Sequence, residues 1–100
     1  MAYGLIIEFT GDLDPTIYEA VNGKLGIDMK TGAGEWPKGL VSHAAGFTST
    51  GFAVLEVWTS KEEQQAFMED RLGAALEAGG APEPTRMEWV DLLAYHTPGA

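Results

Sequence analysis

The chain alternates between short apolar runs and stretches of helical periodicity. Apolar runs with the length and residue types of strands occur at residues 3–10, 39–47, 51–58 and 86–96. In the first run, Leu5, Ile7 and Phe9 recur with the period of two that is typical of a strand. The second and third runs are separated by a short polar turn and predict a hairpin. The pattern predicts the order strand, helix, strand, strand, helix, strand.

Two helices are predicted between these strands, each with a recognisable start and stop. Asp14 followed by Pro15 predicts the start of the first helix, because proline is tolerated at the first helical position. Gly26 predicts its end. Ser60 and Glu63 have the spacing of a capping box at the start of the second helix. The apolar stripe of the second helix consists of Phe67, Leu72, Ala75 and Leu76.

The segment at residues 27–38 is predicted to be a long loop, since it contains glycine and proline and has no periodicity. Loops of this length are uncommon in small domains and are often functional. Trp36 and Met29 lie in this loop. Two interpretations stay open: the pair covers a pocket as a lid, or it seals the end of the core.

Both faces of the predicted sheet are apolar. In the third strand, the residues that alternate on one side are large and apolar: Phe52, Val54 and Trp58. The residues on the other side are also apolar: Ala53, Leu55 and Val57. Two helices cover only one face of such a sheet, so we expect a second copy of the chain to cover the other face.

Right-handed crossovers then define the predicted architecture. They give an α+β fold of the ferredoxin-like, split β-α-β type (βαββαβ), with an antiparallel sheet in the order 4-1-3-2. Two such sheets packed face to face would form a dimeric α+β barrel. Residues 1–100 are expected to make a single domain of this kind.

Composition and charge narrow the expected partners. Fifteen carboxylates against six Lys and Arg residues give a formal net charge of -9. This charge repels phosphates and anionic lipids, so we expect no nucleic-acid partner and no membrane contact. No stretch approaches the roughly 20 apolar residues that cross a bilayer, and the start lacks a basic signal-peptide region. The absence of cysteine is typical of a reducing interior, and we expect a cytoplasmic location.

The sharpest chemical signal is a histidine and a glutamate in the predicted hairpin. If residues 47 and 52 face each other at the turn, His43 lies opposite Glu56, with Cβ atoms about 4.5–5.5 Å apart. The carboxylate would hold one imidazole tautomer and stabilise the protonated ring, as a general base requires. A turn one residue longer or shorter would put the two groups on opposite faces. A purely structural ion pair is the alternative.

Tyr18 and Asn22 are further polar candidates, because residues four apart share one side of a helix. If that side faces the sheet, the phenol and the amide would donate hydrogen bonds to a developing oxyanion. Otherwise Tyr18 packs at the core edge and Asn22 faces water. Apolar residues predicted to wall a substrate pocket are Trp58, Trp36, Phe67, Met29, Phe47 and Val54.

No metal or cofactor motif stands out in the sequence. His43 and His96 have no paired spacing, and a metal centre at His43 and Glu56 would need a third ligand that the sequence does not reveal. Gly32 and Gly34 follow a helix, whereas the glycines of a dinucleotide-binding loop follow a strand. We therefore expect neither a metal nor a cofactor.

Several segments give the chain a resemblance to a known family: YEAVN at 18–22, GLVSHAAG at 39–46, EVWTS at 56–60, then Phe67 and RLG at 71–73. With these segments, nearly the whole chain resembles the dimeric α+β barrel superfamily, and within it the small actinobacterial proteins grouped with antibiotic biosynthesis monooxygenases. The resemblance implies a homodimer. Its motifs are mainly structural, and the superfamily includes cofactor-free oxygenases, haem-degrading enzymes, cyclases and proteins without a known reaction. The second helix lacks the axial histidine that haem-degrading relatives carry there.

The resemblance implies a cofactor-free tailoring enzyme for an aromatic or polyketide-like intermediate. In this hypothesis His43 is the general base, Glu56 orients it, and Tyr18 and Asn22 donate hydrogen bonds. An oxygenase would let the deprotonated substrate react with dioxygen, whereas a cyclase or isomerase would use the same groups without oxygen. Two alternatives are a non-catalytic, stress-related dimer that binds a small apolar ligand and a structural dimer that fills its cavity with its own side chains.

Overall fold

A computed structural model describes residues 2–11 and 14–98. In this part of the chain the strands form one antiparallel sheet in the order β2-β3-β1-β4, which is the predicted order 4-1-3-2 read from the other edge. The strands are β1 (Tyr3–Thr10), β2 (Leu40–Phe47), β3 (Gly51–Trp58) and β4 (Arg86–Asp91). The predicted α+β, ferredoxin-like fold is confirmed. The predicted domain bounds, residues 1 and 100, lie outside the described residues.

Helix α1 (Pro15–Leu25) begins and ends at the predicted signals. The Asp14 carboxylate accepts a hydrogen bond from the Thr16 backbone N–H at 2.9 Å, which satisfies one of the free amides of the first turn. Gly26 ends the helix with a left-handed φ of 76°, a conformation that glycine adopts without strain. In residues 2–11 and 14–98, no helix has the length and apolar character needed to cross a membrane.

The second helical stretch has three consecutive parts: α2 (Lys61–Phe67), a π-helical segment (Met68–Leu72) and α3 (Gly73–Gly79). The Gly73 N–H donates to the Met68 carbonyl five residues earlier, which is the defining bond of a π turn. The wider turn explains the stripe of this helix. Phe67 and Leu72 are five residues apart, yet both face the sheet side of the helix and line the same cavity.

The start of α2 is a modified capping box. Ser60 Oγ accepts from the Glu63 backbone N–H at 3.2 Å, as predicted. The Glu63 carboxylate, however, accepts from the hydroxyls of Thr59 and Ser60, whereas a standard capping box uses the N-cap backbone amide. These hydrogen bonds, with that from Thr59 the larger cause, lower the pKa of Glu63. The carboxylate thus joins the end of β3 to the first helical turn.

The core lies between the helices and one face of the sheet. Buried apolar side chains from the sheet are Leu5, Ile7, Phe52, Val54 and Trp58. Buried apolar side chains from the helices are Val21, Leu25, Phe67 and Ala75. The other face of the sheet is open at its centre, where Leu55 is 53% exposed.

Strand β2 differs from its predicted alternation at one residue. Leu40 pairs with Trp58 and Ser42 pairs with Val57, so Val41 is the extra residue of a β-bulge. The bulge turns Leu40 toward the helices, where the simple alternation had predicted Val41. Because the irregularity lies on the far side of His43 from the hairpin turn, it does not change the pairing between the turn and His43.

Strand β4 is shorter than predicted. It ends at Asp91, whereas the apolar pattern predicted a strand to residue 96. Asp91 pairs with Tyr3, the first residue of β1, so the neighbouring strand offers no further partner. Residues 92–98 have no regular secondary structure, and Leu93 is fully exposed.

Two helical glycines predict opposite responses to alanine. A Cβ at Gly79 would lie 2.7 Å from Cγ2 of the buried Val21, whereas Gly23 has open space around it among the described residues. We expect Gly23→Ala to stabilise the protein by up to about 1 kcal/mol, since alanine favours a helix. Gly79→Ala should destabilise it by about 1 kcal/mol or more, because the stiff valine cannot yield easily.

Urea unfolding of both variants measures these free energies. Equal stabilisation by the two substitutions would contradict the close contact between α1 and α3 at Gly79.

Candidate functional site

A cavity of about 410 Å³ lies between α1, the second helical stretch and the covered face of the sheet. This volume is within the range of about 300–1,000 Å³ that is usual for small-molecule pockets. Most of the wall is aliphatic or aromatic. The lining residues with a hydroxyl, amide, imidazole or carboxyl group are Tyr18, Asn22, His43, Glu56 and Glu83. An apolar pocket with a few converging polar groups is the usual form of a small-molecule site.

His43 and Glu56 face each other across the hairpin, as the turn had predicted. Phe47 pairs with Phe52, and counting along the strands then puts His43 opposite Glu56. The imidazole Nδ1 lies 2.8 Å from Oε2 of Glu56, and the side chains are only 14% and 8% exposed. Because a carboxylate only accepts, Nδ1 carries a hydrogen and donates it, and in a neutral ring Nε2 is then the acceptor nitrogen.

The second oxygen of Glu56 is also occupied. The Trp58 indole N–H donates to Oε1 at 3.0 Å, and Trp58 itself has no exposed surface. A buried carboxylate needs such partners, because an unpaired one would lose its hydration without compensation. Trp58 therefore fixes the carboxylate from the core side, while His43 holds it from the cavity side.

Tyr18 completes a chain of hydrogen bonds. Its hydroxyl oxygen lies 2.9 Å from Nε2 of His43, so the phenol donates to this nitrogen when the ring is neutral. The two rings are nearly parallel, with an interplanar angle of 13° and centroids 6.3 Å apart. The four side chains Tyr18, His43, Glu56 and Trp58 are linked in this order by hydrogen bonds, and we call them the hydrogen-bond chain. It runs from the cavity into the core.

Asn22 lies one helical turn after Tyr18, also at the cavity, and is 9% exposed. Burial raises the pKa of the Tyr18 phenol above its ordinary value, the neighbouring Asn22 side chain opposes that rise, and the charge of Glu56 adds to it. Burial is the largest of these causes, so the site favours the neutral phenol. Of the two interpretations of Tyr18 and Asn22, their positions at the cavity favour the one in which this side of α1 faces the sheet.

The loop at residues 27–39 places Trp36 against the site. The Trp36 ring centroid is 6.0 Å from that of His43, and its indole N–H donates to the Gly32 carbonyl at 2.8 Å. Arg71, in the π-helical segment, donates from Nη2 to the carbonyls of Leu25 and Glu35, each at 2.7 Å. The arginine thus ties the end of α1 and this loop to the second helical stretch.

The cavity wall matches the prediction at some positions and differs at others. Trp36, Phe67 and Val54 line the cavity, as predicted. Trp58 lies behind Glu56 in the core, and Phe47 and Met29 lie away from the wall, 64% and 39% exposed. Phe47 is at the end of an edge strand, and Met29 is in a turn of the loop. The wall instead includes Leu40, Leu72, Leu76 and Met87.

No group of three histidine or carboxylate side chains in the described part of the chain has an arrangement that would hold a metal ion. His96, the other histidine of the sequence, is exposed in the segment after β4.

Comparison with known proteins identifies the fold. No known protein family and no curated protein matches the chain. A crystal structure from Chloroflexus aurantiacus J-10-fl, provisionally named an antibiotic biosynthesis monooxygenase, has 18% identity and a TM-score of 0.65, covering 99% of this chain and 100% of that chain. A protein of unknown function from Nitrosomonas europaea has 19% identity and a TM-score of 0.53, covering 99% and 94%. At these identities the likeness shows a shared fold.

The raised pKa of Tyr18 predicts a pH dependence of stability. The native state holds the phenol proton more tightly than the unfolded state, so this contribution is fully present below a pH of about 10 and is lost as the pH rises through the folded pKa. In urea unfolding between pH 8 and 11, Tyr18→Phe should therefore lose less stability than the wild type. Tyr95→Phe removes an exposed phenol and serves as the control. Parallel alkaline losses in the wild type and Tyr18→Phe would contradict this prediction.

Proposed function

We propose that this protein is a cofactor-free enzyme that deprotonates a small aromatic or polyketide-like molecule, with His43 as the general base. The observation that supports the proposal is the hydrogen-bond chain, because it leads from an apolar cavity to a fixed imidazole and a buried carboxylate. A base in such a setting needs a defined tautomer and a stabilised protonated form. Glu56 supplies both.

The proton path passes through Tyr18. Its hydroxyl hydrogen points to Nε2 of His43, so the substrate proton moves to the phenol oxygen as the phenol hydrogen moves to the imidazole. The high pKa of the phenol means that no tyrosinate needs to accumulate. Afterwards Tyr18 carries the proton taken from the substrate and donates it as a hydrogen bond to the new anion. The amide of Asn22 is the second donor.

The anion formed by this deprotonation can react in two ways. In the oxygenase version, an activated CH₂ group reacts with one dioxygen molecule and becomes a carbonyl while one water is released. In the cyclase or isomerase version, the carbanion attacks a carbonyl or is reprotonated elsewhere, and no oxygen is consumed. Both versions begin with the same deprotonation, and measurement of dissolved oxygen separates them.

The alternative function is that of a non-catalytic, stress-related dimer that binds a small apolar ligand. Its support is the mainly apolar wall of the cavity. In that case the hydrogen-bond chain contributes only to folding and ligand affinity, and substitution of His43 leaves no turnover to lose.

We also propose that the protein is a cytoplasmic homodimer. The absence of cysteine supports the location. The open face of the sheet supports the dimer, because it presents Ile6, Leu55, Val57 and Val90 at positions that the helices do not cover. A second copy would remove this apolar surface from water.

For the base, we expect His43→Ala and Glu56→Gln each to reduce turnover by about 10²–10⁴-fold. The losses in the double variant should be less than multiplicative, because the two side chains act as one unit. The assay follows anthrone as a probe substrate, with oxygen uptake and product formation recorded together. His96→Ala, which removes an exposed histidine, is the matched control and should retain full activity. Retention of wild-type turnover by His43→Ala would contradict the proposed base.

For the dimer, we expect Leu55→Glu to shift sedimentation velocity from dimer to monomer, since it buries a charge at the centre of the proposed interface. Ala66→Glu adds the same charge on an exposed position of α2 and should remain dimeric. An unchanged dimer in Leu55→Glu, or a monomeric wild type, would contradict the use of this face.

A further inference from the structure

The charges at the cavity wall are of one sign. All six Lys and Arg residues of the chain belong to the described ranges, and none of them lines the cavity. The ionisable side chains that do line it are Tyr18, His43, Glu56 and Glu83. Arg71 is the cation of the π-helical segment, but its Nη2 is used by two backbone carbonyls and its guanidinium lies over the Phe67 ring.

A permanently charged anion would meet no cation in this cavity. Carboxylates and phosphates are normally bound by arginine or lysine, which replace the hydration that the anion loses. Among the described residues of the wall, only His43 can carry positive charge, and Glu56 already pairs with it at 2.8 Å. An anionic ligand would therefore lose its hydration in an apolar wall and add a second negative charge beside Glu56.

A neutral acid avoids this penalty. When it binds, the only full charge of the hydrogen-bond chain is that of Glu56. When its proton moves through Tyr18 to His43, the ligand becomes negative and the imidazole becomes positive, so the total charge of the site does not change. A ligand that is already ionised brings one more negative charge at both stages.

We propose that the cavity selects an uncharged molecule whose acidic group is a phenol or an enol, and that it discriminates against carboxylate, sulfonate and phosphate analogues of the same size. This inference rests on the proposed function, since the hydrogen-bond chain would take its proton from the phenol or enol, and an enol is the tautomer of an activated CH₂ group beside a carbonyl and gives the same anion. The selection arises from the missing cation and from the acidic wall.

The test compares two probes with the same ring system. At pH 7, 2-naphthol is neutral and 2-naphthoate is an anion. We expect 2-naphthol to bind at least tenfold more tightly, measured by calorimetry and by quenching of tryptophan fluorescence, since Trp36 lies at the wall. Equal or tighter binding of 2-naphthoate would overturn the proposal. The absence of binding by both probes up to their solubility limits would also overturn it.

A charge variant tests the cause of the selection. Met87 is at the wall and 46% exposed, so Met87→Lys adds a cation beside the cavity without burying it in the core. We expect this variant to bind 2-naphthoate at least fivefold more tightly than the wild type. Leu93→Lys changes the net charge equally at a fully exposed position away from the wall, and should bind both probes as the wild type does. Equal gains in the two variants would show a global charge effect and overturn the proposed cause.

The two proposals can fail separately. Preference for 2-naphthol together with full turnover in His43→Ala would reject the base and keep the selection of neutral ligands. Equal binding of both probes together with His43-dependent turnover would reject the selection and keep the base.

Discussion

The Glu56 carboxylate joins the sheet, the core and the candidate site. It is 9% exposed, and its two oxygens accept from the His43 imidazole and the Trp58 indole. Removing either donor would leave a buried acceptor without compensation, which generally costs about 1–3 kcal/mol, and more for a charged group. The pairing of β2 with β3 is therefore coupled to the chemistry. A shift by one residue would turn His43 to the open face and leave Oε2 of Glu56 without its donor.

The consequences of this interaction extend to α1. With Nδ1 occupied by the carboxylate, Nε2 of the neutral ring is an acceptor, and the Tyr18 hydroxyl donates to it. The tautomer of one ring thus determines the direction of a hydrogen bond from a different layer of the fold. Tyr18 from α1, Trp36 from the loop and Glu56 from β3 all approach this ring, so three separate segments converge on one imidazole.

Much of this arrangement was predictable because it depends on local spacing. The alternation in the strands, the caps Asp14 and Ser60 and the tight hairpin turn were sufficient for the strand order and for the pairing of His43 with Glu56. Counting back from the hairpin turn gave the correct partner of His43 because the bulge at Val41 is farther from the turn than His43 is. Val41 continued the apolar alternation, so no residue type in the sequence signalled a bulge.

The features that the sequence did not reveal depend on tertiary contacts or on an overlooked spacing. The tie from Arg71 to the carbonyls of Leu25 and Glu35 joins segments far apart in sequence. The five-residue spacing of Phe67 and Leu72, by contrast, was a visible signal of the π-helical segment. Trp58 was expected at the cavity because the alternation of side chains along β3 puts it on the same face of the sheet as His43 and Glu56. Alternation does not show whether a residue on that face lines the cavity or lies deeper in the core.

The protonation pattern of the His43 ring tests the hydrogen-bond chain most directly. Long-range ¹H–¹⁵N correlation spectra of protein labelled in histidine report which ring nitrogen carries hydrogen, and the exposed His96 provides an internal reference. We predict a neutral His43 ring with hydrogen on Nδ1, and loss of this fixed tautomer in Glu56→Gln. A ring with hydrogen on Nε2, or a tautomer mixture like that of His96, would contradict the hydrogen-bond chain as the basis of the site.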